Sequence, residues 1–253
     1  METKIPSKLE ETEFFNEHGN LVEFFQNCCK EHQEKIAFES FGVEMSYNDL
    51  SDQVNSFASW LSANFQVGDR VAVMMPNMLV YPVIVYGALK AGIVVVNINP
   101  LYTQRELEHV LRDSEAKLLM VWEGVANVAA KSDLASIEKV LVTTVGDLLG
   151  FKGKIINLVT RKVKKLVPKY HIDGAKMFLD VLNSNEGSSP ESLDISIEST
   201  AFLQYTGGTT GVSKGVMLTH RNMIANIEQS KAMTTPIYEK GAEFLVTALP
   251  LYH

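Results

Sequence analysis

Apolar residues fall along the chain in blocks, and the blocks carry two different periods. Leu21, Phe24, Phe25, Cys28 and Cys29 recur at helical intervals behind Asn20 and Glu23, a pair arranged like a capping box. Leu50, Val54, Phe57, Ala58 and Leu61 form a second helical stripe, opened by Ser46. Other blocks are uniformly apolar and short: RVAVMMPN from Arg70, Ile93–Asn97, KLLMVW over Lys117–Trp122, KVLVT over Lys139–Thr143, and TAFLQY over Thr200–Tyr205. Runs of that length, bounded by Gly, Pro or charge, read as buried strands. Helical patterns fall between them at Tyr81–Lys90 and from Thr103 through QRELEHVLRDS. Apolar strands alternating with helices predict an α/β fold with largely parallel sheets flanked by helices.

The run from Leu79 to Pro100 comes nearest to a membrane span. Pro82, Gly87, Lys90 and Gly92 interrupt it, so it reads as a buried helix, a glycine turn and a buried strand. The N-terminal METKIPSKLEETEFF mixes charges and lacks the apolar core of a signal peptide. Two segments break the α/β rhythm. Residues 183–194 (NSNEGSSPESLD) are polar with Gly, Ser and Pro, which marks a loop or linker. Residues 151–172 are basic and amphipathic. Lys152, Lys154, Arg161, Lys162, Lys164, Lys165 and Lys169 stand there without one acidic residue, while Ile155, Leu158, Val159, Val163, Leu166 and Val167 recur at steps of three and four. That pattern fits an interfacial helix on an anionic membrane surface. It fits equally a helix whose apolar side packs on the domain and whose basic side is solvated.

Composition narrows the function classes. With 46% hydrophobic and 21% charged residues, 253 residues can bury a sizeable core. A net charge of −7 gives the whole chain no electrostatic case for nucleic acid. Two adjacent cysteines and six scattered histidines make neither a disulfide framework nor a structural zinc site, which suits a reducing cytoplasm. No metal-ligand set is assigned.

The chemistry concentrates after Thr200–Tyr205, in Tyr205, Thr206, Gly207, Gly208, Thr209, Thr210, Gly211, Val212, Ser213, Lys214 and Gly215. Glycines let backbone N–H groups approach an anion closely, Thr hydroxyls add short donors, and Lys214 adds a mobile positive charge. Polyphosphate needs that combination. Neither the Walker A order nor the G-x-G-x-x-G fingerprint fits the run.

TGGTTGVSKG resembles the signature phosphate loop of the adenylate-forming superfamily, which includes acyl-CoA synthetases, firefly luciferase and peptide-synthetase adenylation domains. GDRVAVMMPN, AGIVVVNINPLYTQRELEHVLRDS, VMLTHRNMIAN and VTALPLYH also resemble family segments, in the family's order over roughly residues 20–253. NINPLYTQRELEH and FLQYTGGTTGVSKGVMLTHRNM are most similar to bacterial long-chain fatty acid–CoA ligases.

The resemblance implies ATP-dependent activation of a fatty acid to an acyl-adenylate, with release of pyrophosphate and transfer to CoA. ATP, Mg2+ and CoA are the implied co-substrates and metal. Tyr205 to Gly215 would bind the nucleotide, with Lys214 and Thr209 catalytic, and His253 would border the acyl and pantetheine pocket unless it is a structural strand-end histidine. His220, in LTHRN, suits a structural place at a helix start. Residues 1–195 are expected to form a first α/β subdomain carrying the basic insert, and 196–253 the start of a nucleotide-binding subdomain. Family members are about twice this length, and the chain stops inside PLYH, so it reads as a fragment inactive alone. Two alternatives stay open: an adenylate-forming enzyme for another carboxylic acid, and a non-catalytic phosphate- or membrane-binding fragment. The expected location is the cytoplasm, or the inner face of the membrane as a peripheral protein.

Overall fold

The computed structural model describes residues 19–184, 193–206, 213–234 and 242–252. Helix α1 (Leu21–Glu31) starts where Asn20 Oδ1 accepts the N–H groups of Val22 and Glu23, at 2.9 and 3.1 Å. A hairpin of β1 (Ile36–Ser40) and β2 (Val43–Ser46) leads into α2 (Tyr47–Asn64), opened by a reciprocal Ser46–Asp49 capping box. The stripe expected on α2 is buried throughout. Three α/β units follow: β3 (Arg70–Met74), α3 (Val80–Lys90), β4 (Val94–Ile98), α4 (Gln104–Ser114), β5 (Leu118–Trp122) and the short α5 (Ala126–Ala129). Thr103 and Glu106 cap α4 reciprocally. Next come β6 (Lys139–Thr143), α6 (Gly150–Leu158) continued by one π turn (Val159–Val163), β7 (Lys176–Met177) and α7 (Phe178–Leu182). The described chain closes with β8 (Thr200–Thr206), β9 (Lys214–Thr219), α8 (His220–Thr234) and an irregular segment over 242–252.

Seven strands make one sheet in the order β7-β6-β5-β3-β4-β8-β9, all parallel except β9, which returns antiparallel to β8. Uniformly apolar strands have both faces covered, and they do so here. Val71, Val73, Val95, Leu118 and Met120 face α1, α2, α3 and α8. Ala72, Met74, Val96, Leu119 and Val121 face α4 and α5. The period of two along a strand thus feeds two separate cores. Residues on either side of 195/196 belong to the same sheet, because β8 lies beside β4. The Leu79–Pro100 run is helix, turn and strand, and among the described residues no helix is long and apolar enough to cross a membrane. Cys29 is buried in the first core, whereas Cys28, expected beside it, is only half-buried.

Candidate functional site

Parallel α/β sheets hold ligands beyond the carboxyl ends of their strands, and the sequence-predicted loop leaves the sheet at that edge. β8 and β9 are its two stems, with Thr206 paired opposite Lys214. Gly207, Gly208, Thr209, Thr210, Gly211 and Val212 lie outside the described residues, as does His253. The structure therefore bears on the loop's anchorage, which α4 provides. The Tyr205 hydroxyl donates to Asp113 Oδ2 at 2.6 Å. His109 Nε2 stands 2.8 Å from the Ser213 carbonyl oxygen, so that nitrogen carries a proton and donates. The His109 and Tyr205 rings meet edge to face at a centroid distance of 6.3 Å. Burial, reinforced by the Asp113 carboxylate, pushes the Tyr205 hydroxyl above its usual range and keeps it a neutral donor. One face of one helix thereby holds both ends of the loop. Lys214 stands exposed at the far stem.

A second group fixes the PLYH segment to the same edge. Asn77, just past β3, donates to the carbonyls of Thr247 and Leu249 at 3.0 and 2.8 Å and accepts the Leu251 N–H at 2.8 Å. Tyr81 Oη lies 2.8 Å from both Asn97 Oδ1 and Leu251 O. Asn97 Nδ2 donates to Gln204 Oε1 at 3.2 Å, and Gln204 Nε2 donates to Tyr252 O at 2.8 Å. Gln204 directly precedes Tyr205, so the segment leading to His253 is tied to the start of the glycine loop. The sequence singled out these two motifs separately, and the structure joins them through residues it did not single out.

His109, Asp113, Asn77, Tyr81, Asn97 and Gln204 all went unnoticed in the sequence. The available signal was weak: His109 and Asp113 share a helix face at a spacing of four. His220 has the structural place expected of it. It begins α8, is 3% exposed, and its Nδ1 accepts the Leu21 N–H at 3.2 Å.

The basic segment is tied to the sheet by two of its polar side chains. Arg161 is partly exposed, and its Nε and Nη2 lie 2.8 and 2.7 Å from Oε2 of Glu123, a carboxylate 1% exposed at the carboxyl end of β5. A buried carboxylate without a countercharge would cost several kcal/mol, and the guanidinium supplies that charge while 43% of its side chain stays exposed. Asn157 adds a second tie, donating to Thr144 Oγ1 and accepting the Gly146 N–H, both at 2.8 Å. Lys152, Lys154, Lys162, Lys164, Lys165 and Lys169 are exposed.

A doubly wound sheet with a glycine-rich hairpin loop anchored at its carboxyl edge is the opening architecture of adenylate-forming enzymes, and comparison with known proteins agrees. Residues 25–253 match the AMP-binding enzyme family, and the chain belongs to it. It is 45% identical over 240 residues to the long-chain-fatty-acid–CoA ligase of Salmonella typhimurium, covering 93% of this chain and 43% of that protein. The Haemophilus influenzae enzyme of the same name is 40% identical over 244 residues, again with 43% of its length covered. Among solved structures, a long-chain-fatty-acid–CoA ligase from Archaeoglobus fulgidus superposes with a TM-score of 0.68 at 28% identity, over 92% of this chain and 43% of that one. ATP-bound MatB from Rhodopseudomonas palustris shares the fold, with a TM-score of 0.71 at 24% identity, over 92% of this chain and 41% of that one. The chain thus spans less than half the length of these relatives. Among the described residues no group of three or more His, Cys, Asp or Glu is placed to hold a metal ion.

Proposed function

We propose that this chain supplies the phosphate-binding part of a long-chain fatty acid–CoA ligase. A fatty carboxylate oxygen attacks the α-phosphorus of ATP, the bond to the bridging oxygen breaks, and pyrophosphate leaves with the electron pair. The CoA sulfur then attacks the acyl carbon, AMP leaves, and the thiol proton passes to solvent. The first step needs no general base, because a carboxylic acid is already ionised near neutral pH. It needs alignment and donors aimed at the charge that builds on pyrophosphate. Thr206 to Gly211 and Lys214 are the proposed donors, with Thr209 and Lys214 contributing most. Magnesium, when present, comes with the nucleotide's own phosphates. Residues 196–253 begin the nucleotide-binding unit as an extension of the sheet that residues 1–195 build, and His253 borders the acyl and pantetheine pocket.

The observation that supports this reading is the anchorage of both loop stems on α4 through His109 and Asp113. The test is ATP–pyrophosphate exchange with fatty acids of increasing length. It is run on the 253-residue chain and on the chain joined to the C-terminal portion of the Salmonella typhimurium relative. Exchange by the joined protein, rising with acyl length and absent from the chain alone, is the expected result. A folded joined protein that exchanges with no fatty acid contradicts the reading, and one that prefers short or aryl acids moves it to another carboxylate.

A further inference from the structure

We infer that α6 and its π turn form a docking surface for an anionic lipid bilayer. The apolar side of this segment does not pack on the domain. Phe151, Ile155, Leu158 and Val163 are between 49% and 76% exposed, although each is a large apolar side chain. Their spacing of four, three and five explains why they stay in line. An α-helix alone would rotate a fifth-neighbour step off the stripe, and the wider π turn over Val159–Val163 restores it. The opposite side faces inward. Gly153 is buried, Ile156 packs on the first core, and Asn157 and Arg161 bind groups at the carboxyl ends of β5 and β6. The helix is therefore held to the protein by a face that joins Asn157 and Arg161 to Gly153 and Ile156, and it presents Phe151, Ile155, Leu158 and Val163 outward. That is the reverse of an ordinary surface helix.

Charge selects the occupant. Lys152 and Lys154, and beyond them Lys162, Lys164 and Lys165, flank the stripe, and no acidic residue occurs between Lys152 and His171. Lys152 donates to the Gly42 carbonyl at 2.9 Å and remains exposed. Arg161 is paired with Glu123, and 43% of its side chain stays exposed beside the lysines. A second copy of the chain would bring two sets of lysines together, which is repulsive. An apolar stripe between rows of lysine is matched by lipid tails under anionic headgroups. The position also makes sense for the proposed reaction. α6 follows β6 at the same carboxyl edge from which the glycine loop leaves β8, and the order of strands puts four strand spacings between them, roughly 19 Å.

The test is co-sedimentation of the chain with vesicles of phosphatidylcholine, alone or mixed with phosphatidylglycerol. Binding to the mixed vesicles at low salt and release at high salt is expected. Replacing Lys162, Lys164 and Lys165 with Glu should weaken partitioning at least ~100-fold. Leu158→Ser combined with Val163→Ser should weaken it at low salt with every charge retained. All five positions are exposed, so the thermal midpoint should not move. Wild-type-like binding by either variant overturns the proposal, as does salt-independent binding to phosphatidylcholine alone. Dimerisation that disappears in the Leu158 and Val163 variant, with no vesicle binding, also overturns it and assigns the stripe to a second copy. Vesicle binding requires no turnover, so this result and the exchange assay stand or fall separately.

Discussion

Gly215 sits against the ring of Tyr205, where an added Cβ would come within 3.0 Å of Cζ and 3.1 Å of Cε2. The ring cannot swing away freely, because its hydroxyl is held by Asp113. Gly215→Ala is therefore expected to cost about 1–3 kcal/mol, read as a lower urea midpoint with an unchanged slope. Gly215→Ala should become nearly neutral in a Tyr205→Ala background, which removes the ring it meets. His220 gives a prediction of a different kind. Burial pushes its imidazole from 6.5 down to about 4, and protonating Nδ1 would destroy the bond from the Leu21 N–H. In the unfolded chain the ring gains its proton near pH 6.5; in the folded chain it resists until about pH 4. Stability should fall as pH falls through that window, by roughly 2–3 kcal/mol in all, and be insensitive to this residue above it. Denaturant titrations from pH 7.5 to pH 4.5 should show the slope in the wild type and a shallower one in His220→Asn. Equal slopes would mean that another group is responsible.

At the scale of elements, the Arg161–Glu123 bond is one of the ties that hold α6 and its π turn to the sheet. Arg161→Ala would leave Glu123 buried and unpaired, at a cost of about 3 kcal/mol. Adding Glu123→Gln should recover part of that loss, and equilibrium unfolding of both single variants and the double variant measures the coupling. No coupling would mean that the two side chains do not share the bond described. The elements also show what the sequence could reveal. β3, β4, β5 and β6 were legible because burial on both faces makes a strand apolar nearly throughout, β8 as a short apolar run although only Ala201 and Tyr205 are buried in it, and α2 and α4 because Ser46 and Thr103 announce their starts. The hairpin of β1 and β2 was not. Phe41 and Gly42 both have positive φ, 52° and 68°, so a large aromatic residue occupies a turn position that Asn or Asp would have signalled. β9 escaped as well, since at the sheet edge Val216 and Met217 are exposed and neither period appears. The outward stripe on α6 could not be read either. The sequence gives the periodicity, but only the inward grip of Asn157 and Arg161 decides which side faces out.

For the whole molecule, two cores clamp one sheet, and the carboxyl edge of that sheet gathers the motifs. The loop was singled out in the sequence because Gly, Thr and Lys are the residue types that binding a polyphosphate would need. Its supports were not, because they reach it from distant chain positions: His109 contacts Ser213 across 104 residues, Asp113 contacts Tyr205 across 92, and Gln204 contacts Tyr252 across 48. The central claim is that this edge holds the polyphosphate of ATP during adenylation. The most direct measurement is the ATP–pyrophosphate exchange rate of Lys214→Ala and Thr209→Ala, each in the chain joined to the C-terminal portion of the Salmonella typhimurium relative. Each variant should lose ~10²–10³ in rate, the usual effect of removing one preorganised donor to developing charge, with its thermal midpoint unchanged. Exchange at the unsubstituted rate in both variants would contradict the claim.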